Sequence, residues 1–215
     1  IAPNPFYTDL VASLCMERIV LPTIAALQRE GTPFVGCLFF GLMLTQQGPV
    51  VIEYNCRFGD PEAQVALSLL AGDVLEILLA CRNGTLDKVP VPCKEGAACS
   101  VTLASDGYPI AYEKGKLISI SALPEGVTLF HGGTTYDAKH QLVTNGGRVM
   151  HVLGTGETLK DAIRLAYEGV GTVSFEGKQY RQDIGNKALQ EEEHGASRVH
   201  YPWEGVSTKG SSTLY

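Results

Sequence analysis

One stretch of this sequence decides its fold: Glu53-Tyr-Asn55-Cys-Arg57-Phe-Gly-Asp60-Pro-Glu62. It follows an apolar run, Pro49 to Ile52, which predicts a buried β-strand. Because alternate side chains of a strand share a face, we expect Glu53, Asn55 and Arg57 to point into one cavity. Three polar side chains on one face of a buried strand suggest a site.

The chemistry of this polar triple is narrow. A carboxylate and an amide oxygen are ligands that suit Mg²⁺, which usually takes one or two protein ligands and completes its shell with phosphates and water. Arg57 adds a planar fork that binds a carboxylate or phosphate. The triple is typical of a seat for a metal–nucleotide complex. A strand end that leaves the core has the same spacing, so the spacing alone leaves both interpretations open.

Composition limits the class of protein. With 215 residues and 45% apolar content the chain can bury one or two cores. Its net charge of -6 argues against a nucleic-acid-binding domain. The six cysteines show no CxxC pair, which favours a reducing, cytoplasmic setting. No signal peptide and no apolar run of roughly 18 residues is visible, so we expect no membrane span. The start at Ile1, without Met, suggests a fragment of a longer protein.

Helical signals dominate the first part of the chain. Thr8 is placed to cap a helix that ends before Gly31, and Pro22 should bend or divide it. Residues 35–44 and 49–54, joined by a glycine-containing turn, predict a β-hairpin. Two more helices are expected, one starting at Pro61 and one running from Asp73 to Gly84.

Short strands and glycine turns dominate the second part. We predict strands at 97–104, 127–131 and 148–153, and one amphipathic helix from Leu159 to about Gly171. Together with the first part this gives an α+β fold. We place a domain boundary after Pro90, which gives domains 1–91 and 92–189. Residues 190–215 have few apolar anchors and predict a weakly structured tail or linker.

Two glycine pairs lie in loops of the second domain, Gly132-Gly133 and Gly146-Gly147. Adjacent glycines let backbone N–H groups approach an anion closely, and Arg148 can add charge to a bound ribose phosphate. Tight turns between strands explain the same glycines. His131 is more often a hydrogen-bonded loop residue than a catalyst.

Seven separated motifs resemble one known family, the glycinamide ribonucleotide synthetases (phosphoribosylamine–glycine ligases), in order over residues 1 to 189. The motifs are Gly41-Leu-Met-Leu-Thr45, the segment Val51 to Gln64, Ser105-Asp-Gly-Tyr-Pro109, Tyr112-Glu-Lys-Gly115, Phe130-His-Gly-Gly-Thr134, Val143-Thr-Asn-Gly-Gly-Arg-Val149 and Tyr180-Arg-Gln-Asp-Ile-Gly185. Residues 190–215 do not match the family.

The resemblance implies the C-terminal half of an ATP-grasp domain followed by a small mixed strand and helix closing domain. It also implies an ATP-dependent carbon–nitrogen ligase of purine biosynthesis. This enzyme activates glycine as glycyl phosphate and joins it to 5-phosphoribosylamine, with release of ADP and phosphate.

Site residues follow from the same resemblance. Glu53 and Asn55 match the residues that hold Mg²⁺ or Mn²⁺, and Arg57 matches a catalytic arginine that faces the substrate carboxylate or acyl phosphate. Asp60 contacts the substrate or caps the following helix. Leu42 and Leu44 lie on the strand that floors the adenine pocket, or are ordinary core residues.

The family pattern also includes parts that this chain lacks: a first domain and the ATP-grasp half with the phosphate-covering loop. We therefore expect the chain alone to be inactive and its partners to be small molecules and the missing N-terminal portion. The parent enzyme is either monofunctional or fused to other purine-pathway domains. Two alternatives stay open. One is another ATP-grasp ligase or carboxylase subunit, and the other is a non-catalytic remnant of the fold.

Overall fold

A computed structural model describes residues 1–194, which form two compact units. One consists of Ile1–Asn4 with Gly59–Gln190, and the other of Pro5–Phe58 with residues 191–194 of the described chain. The units divide at Phe58, whereas the change of sequence texture lies near Pro90. The reason is that the helix after Gly59 packs on the later strands. The predicted domain boundary at 91 stays a prediction.

The Pro5–Phe58 unit begins with a long helical stretch of three segments. They are α1 (Asp9–Cys15), a π-helical segment (Met16–Val20) and α2 (Leu21–Arg29). The Thr8 side chain accepts a hydrogen bond from the N–H of Val11, which confirms the predicted cap.

The π-helical segment lies just before Pro22. Proline has no N–H and its ring clashes with the carbonyl four residues earlier, so a regular α-turn is unfavourable there. Instead, the N–H of Leu21 donates to the carbonyl of Met16, five residues back. The predicted disturbance by Pro22 therefore takes the form of one wide turn.

The same unit contains the predicted hairpin, β1 (Phe39–Thr45) and β2 (Gly48–Asn55), paired antiparallel. Gly41 lies opposite Glu53 and Leu42 opposite Val51, so Ile52 is the extra residue of a β-bulge.

The prediction that residues 49–52 are buried throughout is wrong. Pro49 is buried, but Val50 is 43% exposed and Ile52 61% exposed. The hairpin has only two strands, and one apolar layer, formed by Val11, Leu14 and Cys15 with neighbouring leucines, packs against its β1 side chains. The Val50 and Ile52 side chains gain little from that layer.

By length and composition alone, the helical stretch Asp9–Arg29 is apolar enough to cross a membrane. The sequence predicts no such span because Glu17, Arg18 and Pro22 interrupt the apolar run. A buried core helix of a water-soluble protein meets the same test, so this is only a weak indication.

The unit formed by Ile1–Asn4 and Gly59–Gln190 has two helices and a short helical turn before its sheet. α3 (Glu62–Ser68) is followed by α4 (Val74–Asn83) and a 3₁₀ turn (Leu86–Lys88). Asp73 caps α4 by accepting from two N–H groups, and Gly84 ends it with a left-handed φ of 67°. The helix predicted from Asp73 to Gly84 is therefore confirmed at both ends.

An antiparallel four-stranded sheet forms the centre of this unit. Its order is β10-β3-β8-β5, with β3 (Ala97–Ser105), β5 (Val127–His131), β8 (Arg148–Gly156) and β10 (Lys178–Gln179). Two small antiparallel pairs join β4 (Ser119–Ile120) to β9 (Val173–Ser174) and β6 (Thr134–Tyr136) to β7 (Leu142–Thr144). The sequence predicts β3, β5 and β8. Strands of two or three residues are too short to show a period of two.

Helices cover the central strands β3 and β8 from both faces. On one side α5 (Leu159–Thr172) lies so close to β8 that a Cβ on Gly154 would be 2.3 Å from the carbonyl oxygen of Ala162. On the other side Val65 of α3 packs with Ala98 and Leu153. This architecture confirms the predicted α+β class.

The described chain ends in α6 (Asn186–His194). Residues 190–194 of the predicted tail are thus helical, and residues 195–215 lie outside the described residues.

All six cysteines are free thiols. Cys15 and Cys99 are buried, and burial raises the pKa of Cys99 to about 11.

Candidate functional site

The structure brings Glu53 and Asn55 together at the end of β2. The Nδ2 of Asn55 donates to the Oε1 of Glu53 at 3.1 Å, as expected for alternate residues on one face of a strand. Each side chain carries an oxygen atom of the kind that binds hard cations. The pair therefore has the donor chemistry of a Mg²⁺ or Mn²⁺ site.

Arg57 does not continue this face. β2 ends at Asn55, and the guanidinium of Arg57 donates from Nη1 to the carbonyl of its neighbour Phe58 at 2.7 Å. The prediction of three side chains in one row is wrong at its third member, since the chain leaves the extended conformation one residue after Asn55.

Between residues 1 and 194, no group of three or more His, Cys, Asp or Glu side chains is placed to hold a metal ion. One carboxylate and one amide are a small ligand set. Such a set fits Mg²⁺, which relies on substrate phosphates and water for the rest of its coordination.

Leu42 and Leu44 lie on β1, half-buried, and pack against the cluster of Val11, Leu14 and Cys15. These contacts agree with their interpretation as core residues. Contact with an adenine base stays a prediction.

Asp60 lies in a network of polar side chains within the unit that contains Gly59–Gln190. Its Oδ1 accepts from Gln64 Nε2 at 3.1 Å and lies 3.2 Å from His151 Nε2, while its Oδ2 lies 3.3 Å from Arg148 Nη2. Arg148 Nη1 also donates to the main-chain carbonyl of Asp60 at 2.6 Å. Asp60 does not cap α3, because the cap position is Pro61, where no side-chain bond is made.

His151 is missed by the sequence interpretation. It is 1% exposed in the middle of β8, and its Nδ1 lies 3.0 Å from the hydroxyl of Thr102. Burial lowers the pKa of His151; the charge of Asp60 opposes this by raising the pKa. A histidine inside the apolar run Val149-Met-His-Val152 is the one signal that the sequence offers.

The two glycine pairs pack against each other. A Cβ on Gly133 would lie 2.5 Å from the Cα of Gly146, so no larger residue fits. The N–H of Gly132 and that of Gly133 already donate to carbonyls at the start of β8. This geometry supports the tight-turn interpretation for the first pair. Anion binding by Gly146 and Gly147 stays a prediction.

The motifs at 105–109 and 112–115 meet at one cavity of about 430 Å³. In this cavity Nζ of Lys116 lies 2.8 Å from Oε2 of Glu113 and 3.0 Å from Oε1 of Glu176. The hydrogen bond from Lys116 lowers the pKa of Glu113. The ring of Tyr108 lies over Gly147, where a Cβ would be 2.0 Å from the ring. The first of these motifs thus packs against the Gly146-Gly147 loop through Tyr108.

Comparison with family models identifies both parts of the chain. The ATP-grasp (A) domain of phosphoribosylglycinamide synthetase matches residues 1–63, and the C domain of the same enzyme matches residues 98–187. The chain belongs to the phosphoribosylglycinamide synthetase family. The resemblance seen in the seven motifs is confirmed.

Curated relatives agree with this family. A phosphoribosylamine–glycine ligase of Chlorobaculum tepidum is 44% identical over 87% of this chain and 45% of its own length. A bifunctional purine biosynthetic protein of Schizosaccharomyces pombe is 44% identical over 96% of this chain and 26% of its own length. The chain thus spans about a quarter to under a half of the length of these relatives.

Solved structures show the predicted fold. A phosphoribosylamine–glycine ligase from Thermotoga maritima, 43% identical, superposes with a TM-score of 0.68 and covers 79% of this chain and 42% of that one. The biotin carboxylase domain of a Hydrogenobacter thermophilus 2-oxoglutarate carboxylase, 12% identical, reaches 0.55 and covers 93% of this chain and 47% of that one. The latter shows the ATP-grasp fold alone.

Proposed function

We propose that the whole enzyme containing this chain is a cytoplasmic ligase that joins glycine to 5-phosphoribosylamine and converts ATP to ADP and phosphate. The observation that supports this most directly is the match of two domains of one synthetase, in order, on a single chain. Curated relatives above 40% identity carry the same ligase name. Likeness to carboxylases at 12–15% identity concerns the fold only, so it gives no support for a carboxylase.

The reaction runs in two steps. A glycine carboxylate oxygen attacks the γ-phosphorus of ATP, so that ADP leaves and glycyl phosphate forms. The amine of phosphoribosylamine then attacks the acyl carbon, phosphate leaves, and the nitrogen loses a proton. Phosphoryl transfer depends mainly on positioning and on neutralising charge.

Glu53 would hold Mg²⁺ or Mn²⁺ through its carboxylate and Asn55 through its amide oxygen, and the two side chains already lie in contact. The ion, when bound, neutralises charge on the ATP phosphates. Arg57 has an exposed side chain and one hydrogen bond to a neighbouring carbonyl. Its guanidinium therefore has donors left to orient the glycine carboxylate or the acyl phosphate as a catalytic residue.

The test is glycine-dependent ADP release by the full-length enzyme supplied with phosphoribosylamine. Glu53→Ala and Asn55→Ala should each lower turnover at limiting Mg²⁺ by about 100-fold or more, because the ion supplies several kcal/mol of charge stabilisation. Raising Mg²⁺ should restore part of the loss. Glu125→Ala, which removes an exposed carboxylate from a loop, is the matched control.

Two outcomes contradict the proposal in different ways. Wild-type turnover in both variants at limiting Mg²⁺ would show that the metal assignment is wrong. Absence of glycine-dependent ADP release in the wild-type enzyme would show that the ligase assignment is wrong.

A further inference from the structure

The Asp60 carboxylate is 43% exposed, and both of its oxygens have close partners in the protein. One oxygen faces His151 Nε2 and Gln64 Nε2, and the other faces Arg148 Nη2. A carboxylate offers about four acceptor positions. One position takes the hydrogen bond from Gln64, and the basic side chains of His151 and Arg148 lie within 3.3 Å of the carboxylate, so its nearest partners are side chains of the same unit.

Geometry also defines the state of His151. A carboxylate only accepts hydrogen bonds, so Nε2 of His151 must carry the hydrogen that faces Asp60. In the neutral ring Nδ1 then accepts from the hydroxyl of Thr102, 3.0 Å away. The charged groups acting on the ring are Asp60, Arg148 and Glu62, and burial outweighs the two carboxylates and lowers the pKa. His151 is therefore a neutral donor near pH 7.

Arg148 is held twice by one residue. Nη1 donates to the Asp60 carbonyl at 2.6 Å and Nη2 pairs with the Asp60 carboxylate at 3.3 Å. Two contacts fix the plane of a guanidinium, which carries five N–H donors in all. Its side chain is 39% exposed, and within residues 1–194 its other donors have no protein acceptor. Arg148 directly follows Gly146-Gly147 in the chain.

We propose that Asp60 and His151 are positioning residues that hold the Arg148 guanidinium, beside the Gly146-Gly147 loop, in the orientation that binds the phosphate of a phosphorylated sugar substrate. This inference rests on the proposed function and refines it. Asp60 changes from a predicted substrate contact to a residue that acts through Arg148. His151 acts one step further away, through Asp60.

The test measures the affinity of the full-length enzyme for ribose 5-phosphate by calorimetry, which needs no turnover. Arg148→Ala should weaken binding by about 10-fold or more, and Asp60→Asn by several-fold to about 10-fold, because charge-assisted hydrogen bonds are lost. The Asp60→Asn change should have no further effect when Arg148 is already Ala. Full additivity would show that Asp60 contacts the ligand itself and overturn the proposal.

A matched pair at His151 separates positioning from packing. His151→Gln keeps an N–H donor and should bind ribose 5-phosphate nearly as wild type, whereas His151→Leu keeps the bulk, loses the donor and should bind several-fold more weakly. KM for phosphoribosylamine should rise in the weaker variants, while KM for ATP and glycine stays constant. Equal affinity of the two His151 variants, or unchanged affinity in Arg148→Ala, would overturn the proposal.

The outcomes are distinguishable from failure of the proposed function. If the wild-type enzyme binds ribose 5-phosphate and the variants follow the expected pattern, but glycine-dependent ADP release is absent, only the ligase assignment fails. If ADP release depends on glycine and the binding pattern is absent, only the positioning role fails. Nitrogen NMR of the His151 ring adds a direct readout, with the neutral Nε2–H tautomer expected at pH 7 to 8; the Nδ1–H tautomer would overturn the assignment of His151 as a donor to Asp60.

Discussion

Single residues show how local and distant pairings differ in predictability. Glu53 and Asn55 are two positions apart on one strand, so their contact follows from the period of a strand alone. Asp60 and Arg148 are 88 positions apart, and their contact depends on where α3 and β8 meet in the fold. No sequence pattern carries that information. For this reason the sequence predicts Asp60 only as a helix cap or a substrate contact, and it does not identify His151.

The buried ring of His151 should make stability depend on pH. Its pKa is lowered in the folded state, so below the unfolded value near 6.5 the unfolded chain binds a proton that the folded chain does not. The free energy of unfolding should therefore fall as pH decreases from 6.5, by at most about 1.4 kcal/mol per pH unit for one proton.

Urea unfolding of the protein at several pH values between 5 and 8 measures this dependence. His151→Gln should flatten the curve below pH 6.5, since the titrating ring is gone. His131→Gln, at an exposed histidine, should leave the wild-type dependence in place. An unchanged slope in His151→Gln would refute the account.

At the level of helices and strands, the elements with strong end signals are those that the sequence predicts well. Thr8, Asp73 and Gly84 mark helix ends in the structure as they do in the sequence. The buried character of β2 is predicted wrongly, because apolar composition does not reveal how many layers cover a strand. The short pairs formed by β4, β6, β7, β9 and β10 depend on tertiary contacts and leave no periodic signal.

Two glycines provide a matched test of the packing between α5 and β8. Gly154→Ala places a Cβ 2.3 Å from the carbonyl oxygen of Ala162 and 2.4 Å from the nitrogen of Ala166, so α5 must move away. We expect a loss of about 1–3 kcal/mol in the free energy of unfolding, as for other overpacked cores.

Gly171→Ala is the control within the same helix. No atom lies within 4 Å of its added Cβ, and alanine favours a helix more than glycine does by about 1 kcal/mol. Denaturant unfolding should show this variant to be as stable as wild type or more stable. Equal destabilisation by both substitutions would mean that the close approach of α5 to β8 does not limit the size of residue 154.

For the whole molecule, the order of motifs carries more information than any one of them. Glu-x-Asn-x-Arg alone leaves carboxylases and other ATP-grasp ligases open, and the later motifs at 105–185 select one family, which the two matched domain models confirm. The composition and periodicity predict an α+β chain, but they do not predict which residues of the two domains form the compact units.

Nucleotide binding by the whole enzyme should require the divalent ion. At 100 times its Kd, MgATP should stabilise the full-length enzyme by about 2.7 kcal/mol and raise its melting temperature. Excess EDTA should remove most of this increase, and Mn²⁺ should restore it. Glu53→Ala should reduce the ion-dependent part while Glu125→Ala retains it; a full ion-dependent increase in Glu53→Ala would argue against Glu53 as a ligand.

The wide turn before Pro22 shifts the phase of the whole N-terminal helix. Before the turn the buried positions are 11, 14 and 15. After the turn the buried or half-buried positions that continue this face are 19, 23, 26 and 27. Each of these later positions comes one residue further along the chain than a continuous α-helix would place it. One residue corresponds to a rotation of about 100°. The turn thus acts as a one-residue insertion, which keeps Arg18 and Pro22 on the outer side. Removing one residue from Met16–Val20 together with Pro22→Ala would return the helix to a regular repeat with the same face inward. Removing one residue while the wide turn is kept would rotate α2 by about 100° away from its present inward positions.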